Sequence, residues 1–202
     1  MDRRGNRMET LVPTYWFTDR DDKDIRDHFQ KKKKPYTEDT MIEILKNMDN
    51  KNEMWWAILA LRKIGTKKSI KYLKDIVHYK NMDVQATSVL TIAKLAEGTE
   101  NEFLGKLLLD KEFKQKTYAM TAIFYEANDK PLKYIIEYGI EKIKNCKNMP
   151  DVGGLVLTYL ARYAPENEDC KKIFAKVNKD FENLYPFGKK CLREEFPEIF
   201  GK

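Results

Sequence analysis

Residues 57–96 read "AILALRKIGTKKSIKYLKDIVHYKNMDVQATSVLTIAKLA", and this stretch decides the fold because its pattern recurs. Ile58, Val89 and Met120 follow one another at steps of 31 residues. The same step joins Leu61, Ile92 and Ile123, and Gly65, Ala96 and Ala127. It also joins Tyr72, Phe103 and Tyr134, and Leu73, Leu104 and Ile135. Columns of apolar or small residues kept in register at such a period mark stacked supersecondary units. Within a unit the apolar spacing is helical on both sides of a short turn, so each unit reads as a helical hairpin.

The pattern extends outward on both sides. Upstream, "TEDTMIEILKNM" opens with Thr37 as an N-cap and acidic residues in the first turn, then stripes Met41, Ile44, Leu45 and Met48 along one face. Downstream, after "NCKNMPDVGG", a more divergent unit follows, with "LVLTYLARYAP" as its first helix and "EDCKKIFAKVNKDF" as its second. The aromatic end "FENLYPFGKKCLREEFPEIF" then caps the stack. The expected fold is all-α, an α-α superhelix of about four helical hairpins. Residues 37–202 read as one repeat domain. Residues 1–36 read as an irregular, charged N-terminal arm, packed on the body through Tyr15, Trp16 and Phe17.

Bulk properties agree with this reading. The chain has 202 residues, 42% hydrophobic and 35% charged, enough for a sizeable core under a charge-rich surface. Its 9 Gly and 7 Pro are too few for a turn-rich all-β chain. Cys146, Cys170 and Cys191 are odd in number and widely spaced, which fits free thiols in a reducing compartment. "LVPTYWF" is too short for the apolar core of a signal peptide, and no apolar run reaches membrane-span length, so the expected location is cytoplasmic. The net charge of +6 admits a nucleic acid or an acidic protein as partner, but a lysine-rich surface also serves solubility alone.

The quoted stretch resembles the short HEAT-like repeat found in phycobilin lyases and many bacterial repeat proteins. The likeness rests on Ala57, Ala60, Leu61, Ile64 and Gly65 in the first helix and on Ile70, Leu73 and Ile76 in the second. Asp83 and Val84 match the Asp and Val that open the next unit in that family, whereas Gln85 stands where the family has Arg. The third unit, "EFKQKTYAMTAIFYEA", lacks the Asp-Val pair. The resemblance implies the fold; such scaffolds serve many functions.

The residue patterns of common chemistries are missing. His28 and His78 are the only histidines, and neither has metal-ligand spacing. No nucleophile elbow, phosphate loop or dinucleotide fingerprint is present, and Gly153-Gly154 reads as a junction turn. The cluster Asp19, Asp21, Asp22, Asp24, Asp27 and His28 lacks the ordered ligand positions of a calcium loop and reads as a solvated acidic patch. Lys31–Lys34 reads as a solvated linker. The expectation is a protein that is not an enzyme, with no cofactor and no metal.

In HEAT-like stacks the second helices line the concave, binding face. Opposite the buried side of "SIKYLKDIVHYK" lie Lys71, Asp75 and His78. Steps of 31 lead to Glu102, Lys106 and Leu109, then to Lys133, Glu137 and Ile140. Alternating signs with some apolar content suit a protein partner, whereas a phosphate backbone calls for a continuously positive groove. The candidate partner-binding residues are therefore Lys71, Asp75, His78, Glu102, Lys106, Lys133 and Glu137. A small helical-repeat protein of this kind resembles bacterial immunity proteins, which neutralise a cognate toxin. The alternative is a nucleic-acid protein similar to the HEAT-like alkylation-repair DNA glycosylases, with Trp55 or Trp56 and Asp75 in a cleft. The Trp55-Trp56 doublet reads instead as packing, with Trp55 covered by the helix at 37–49 or by the Tyr15-Trp16-Phe17 segment.

Overall fold

A computed structural model describes residues 20–143, 152–184 and 186–201. The described residues form twelve α-helices and no strand. The chain divides into two compact units, Met1–Glu100 with Lys111–Glu126, and Asn101–Asp110 with Ala127–Lys202.

In the first unit, α1 (Asp22–Lys31) and α2 (Glu38–Asn47) precede α3 (Lys51–Ile64), α4 (Ile70–Asp75), α5 (Met82–Ala96) and α7 (Lys116–Phe124). α3 packs on α5 and α5 on α7, so helices one repeat step apart become neighbours, while α2 backs α3 and α4 backs α5. The register columns meet in this core. Ile58, Val89 and Met120, and Leu61, Ile92 and Ile123, are all fully buried. Both long helices start at an asparagine: the Asn50 side chain accepts from the Asn52 and Glu53 N–H groups, and Asn81 from those of Asp83 and Val84. An N-cap of this kind satisfies donors that the first helical turn cannot pair.

The arm departs from expectation. Asp22–Lys31 is a helix, not an irregular segment, and it packs on α3 through buried Ile25 and Phe29. Its polar residues support it locally, with Asp22 paired to Arg26 at 2.5 Å and Lys23 to Asp27 at 2.6 Å, both at the i,i+4 spacing. Tyr15, Trp16, Phe17 and Asp19 lie outside the described residues. Gln85, where the repeat family has Arg, is buried and ties two loops together: its amide donates to the Tyr79 carbonyl at 3.0 Å and accepts from the Lys114 N–H at 3.3 Å.

The second unit contains α6 (Asn101–Leu109), α8 (Leu132–Ile143), α9 (Val152–Tyr163), α10 (Glu168–Lys179), α11 (Pro186–Glu195) and α12 (Pro197–Phe200). α6 packs on α8, and α8 on both α9 and α10, with α9 and α10 forming the fourth hairpin. Phe181 and Phe200 stack 5.3 Å apart beside Phe196, which realises the aromatic cap. Gly105 is buried where α6 meets the start of α8; a Cβ there would stand 2.8 Å from Pro131 Cβ and 2.9 Å from Tyr134 Cδ2. No described helix is long and apolar enough to cross a membrane.

Candidate protein-binding surface

The second helices are α4, α6 and α8. α4 is shorter than the sequence suggests and ends at Asp75, with Ile76–His78 forming a turn. His78 therefore leaves the helix face on which it was expected. The turn before α4 is fixed from α2, because the Glu38 carboxylate accepts from the Thr66 N–H at 2.8 Å and from the Thr66 and Ser69 hydroxyls. That anchor sets the direction of α4, whose Ile70 and Leu73 enter the core and whose Lys71 and Asp75 are exposed. Tyr72 is half-buried between them. Lys71 Nζ lies 4.6 Å and Lys46 Nζ 5.4 Å from its ring centroid, within cation–π range.

In the second unit, three of the expected residues come together. Lys106 Nζ is 3.2 Å and Lys133 Nζ 4.0 Å from Glu102 Oε1, and the Tyr134 hydroxyl donates to the same oxygen at 3.1 Å. Lys133 also sits 4.7 Å from the Tyr134 centroid and Lys106 6.0 Å. Hydrogen bonds from Lys106 and then Tyr134 hold the Glu102 carboxyl below its ordinary range. Gly105 permits the geometry by letting α6 approach the Tyr134 ring. Glu137 is exposed one turn beyond Lys133, while Leu109 and Ile140 are half-buried and give the same face an apolar part. The signs are mixed, as expected; the tyrosines that organise the lysines were read only as a register column.

A further cluster escaped the sequence reading. Glu53, at the start of α3, is buried, and its carboxylate takes ammonium groups from Lys32 and from Lys34, the latter at 3.2 Å. His28 Nε2 stands 3.3 Å from the same carboxylate, and its ring stacks on Trp56 at 4.4 Å and 14°. Burial alone would raise the Glu53 carboxyl, but hydrogen bonds from Lys32 and Lys34 outweigh it and hold it below its usual range. Burial lowers the His28 imidazole, opposed in part by Glu53. Half of the Lys31–Lys34 run is thus an anchor for α1, not a solvated linker. Trp55 is half-buried, with the Arg20 guanidinium 5.2 Å from its ring centroid, and its Nε1–H has no acceptor among the described residues.

Arg62 is also buried. Its Nε donates to Thr91 Oγ1 at 3.0 Å and one terminal nitrogen to the Thr87 carbonyl at 3.1 Å, joining α3 to α5. Beside it, a shallow depression of about 350 Å³ is lined by Lys63, Ala93, Lys94, Glu97 and Tyr125. On α1, Asp22 is engaged by Arg26 and by the Tyr36 hydroxyl, and Asp27 by Lys23. No group of three His, Cys, Asp or Glu suited to a metal ion occurs among the described residues.

No protein-family model, curated protein or solved structure matches this chain.

Proposed function

We propose that this protein is a non-catalytic recognition module of short HEAT-like repeats, which binds another protein through its second-helix faces. Inhibition of a cognate toxin is the specific role proposed, because a small helical-repeat protein of this kind resembles bacterial immunity proteins. The observation that carries the recognition role is the network of Glu102, Lys106, Lys133 and Tyr134. It is an exposed set of opposite charges whose side chains are held by one another and by a rigid ring, beside half-buried Leu109 and Ile140. Such ordering lowers the side-chain entropy lost on association, and alternating signs set partner register.

Affinity capture from the protein's own source, with and without nuclease, tests the proposal. One stoichiometric protein partner that survives nuclease is expected, and substituting Lys71, Asp75 and Lys106 together by Ala should weaken its binding while leaving the helical circular dichroism intact. Binding lost with nuclease and falling steeply with salt would overturn it, since counterion release governs nucleic-acid complexes.

A further inference from the structure

The two tyrosine sites share a composition. At Tyr134, Lys106 is paired at 3.2 Å with Glu102, while Lys133 reaches that carboxylate only at 4.0 Å. At Tyr72, Lys46 is paired with Glu43 at 2.6 Å, while Lys71 has no ion pair among the described residues. At each ring, therefore, one ammonium group is closely paired with a carboxylate and the second is not. A fully hydrogen-bonded ion pair at the protein surface is worth little, so the carboxylate already present can be exchanged for another.

We infer that Glu102 holds the place of a carboxylate supplied by the partner, and that the partner is a protein presenting an acidic surface to these lysines. The assignment rests on the protein-recognition role proposed above. On binding, an Asp or Glu of the partner takes the position between Lys106, Lys133 and the Tyr134 hydroxyl, and Glu102 swings to solvent. Its side chain is already half-exposed, and its second oxygen, Oε2, accepts no hydrogen bond among the described residues. Charge around the Tyr72 site points the same way. Residues 66–80 contain five lysines and one acidic residue, Asp75; Lys67, Lys68 and Lys74 are already paired with Glu97, Asp39 and Glu100, which leaves the Lys71 ammonium beside Tyr72 for an incoming carboxylate. A continuous polyanion fits less well than separate carboxylates, because exposed Asp75 and Glu137 interrupt the positive charge on their helices.

The exchange makes a prediction of opposite sign for neighbouring residues. Amide NMR titration of the full chain with a decameric glutamate peptide at low salt should perturb the 102–106 and 133–134 amides. Glu102→Gln removes the internal competitor and should tighten peptide binding about two- to fivefold, the range of one exposed charge pair. Lys106→Ala with Lys133→Ala should weaken it by at least the same factor. If the double variant weakens binding while Glu102→Gln leaves it unchanged or weaker, the exchange is refuted and the recognition face survives. If neither variant alters affinity, the face itself is wrong and the recognition role falls with it. Random-sequence duplex DNA that displaces the peptide from the wild-type protein would also refute an acidic protein partner.

Discussion

Gly105 and Gly154 offer one substitution with two opposite outcomes. Both lie within helices, Gly154 inside α9 and not in the junction turn expected for Gly153-Gly154, and replacing Gly by Ala in a helix is worth about 1 kcal/mol in backbone terms. At Gly154 the new methyl group meets no heavy atom of the described residues within 4 Å, so the backbone gain should appear nearly whole. At Gly105 the same methyl group would lie 2.8 Å from Pro131 Cβ and 3.2 Å from Pro131 Cα. Proline cannot rotate away as a flexible side chain would, so α6 itself must move. Overpacking of this kind costs ~1–3 kcal/mol, which exceeds the helix gain and leaves Gly105→Ala destabilising by ~1 kcal/mol. For a chain of this size that corresponds to a fall of roughly 2–4 °C in Tm, against a rise of similar or smaller size for Gly154→Ala. Thermal unfolding of the two variants beside the wild type reads both effects. If Gly105→Ala raises Tm as Gly154→Ala does, α6 does not approach Pro131 closely, and the support claimed for the Tyr134 network fails.

Glu53→Gln keeps the shape of the side chain but removes the charge that Lys32 and Lys34 share. It should lower stability by ~1–2 kcal/mol in urea unfolding and loosen α1 first, visible as faster amide exchange at Ile25 and Phe29. Because burial lowers the His28 imidazole from 6.5, its neutral form is favoured in the fold and the unfolded chain takes up a proton first. Stability from this group is intact above pH 6.5 and is lost as pH falls through the lower, folded-state value. His28→Gln should flatten that part of a urea-midpoint profile taken between pH 7.5 and pH 5. Arg62→Met retains most of the packing volume but gives up the hydrogen bonds to Thr91 and Thr87, so a loss of ~1–3 kcal/mol is expected in chemical unfolding.

Much of this architecture was legible because burial in a repeat stack is periodic. The 31-residue columns through Ile58 and Leu61 are core columns in fact, and the helices from α3 to α10 occupy the segments read as helical, apart from the early end of α4 at Asp75. α1 was missed because only Ile25 and Phe29 of its ten residues are buried, too short an apolar pattern to stand out among charges. Its signal was the i,i+4 spacing of those two residues, repeated by Asp22–Arg26 and Lys23–Asp27. The Glu53 cluster joins residues 19 to 25 positions apart, and no local pattern announces which lysine of a run will find a distant carboxylate. The partners of Arg62 were hidden for a related reason. A helical wheel gives the side of the helix, whereas a long side chain can reach across to Thr91 of the neighbouring helix. At the proposed surface the repeat register named Glu102, Lys106 and Lys133, which lie together in the structure, but Tyr72 and Tyr134 looked like core positions because the rings serve both purposes.

The paired caps Asn50 and Asn81 mark equivalent points on the backbone, 31 residues apart. The segment 50–80 is consequently a cassette whose two boundaries are chemically alike. An in-frame duplication of the DNA encoding it would rejoin Lys80 to a new Asn50, which starts the next long helix as Asn81 does now. Lengthening by whole cassettes leaves each capped junction intact, whereas an insertion of any other length breaks the spacing between successive caps. Recombination between neighbouring copies is therefore an accessible route by which such a gene could vary the number of second-helix faces it offers.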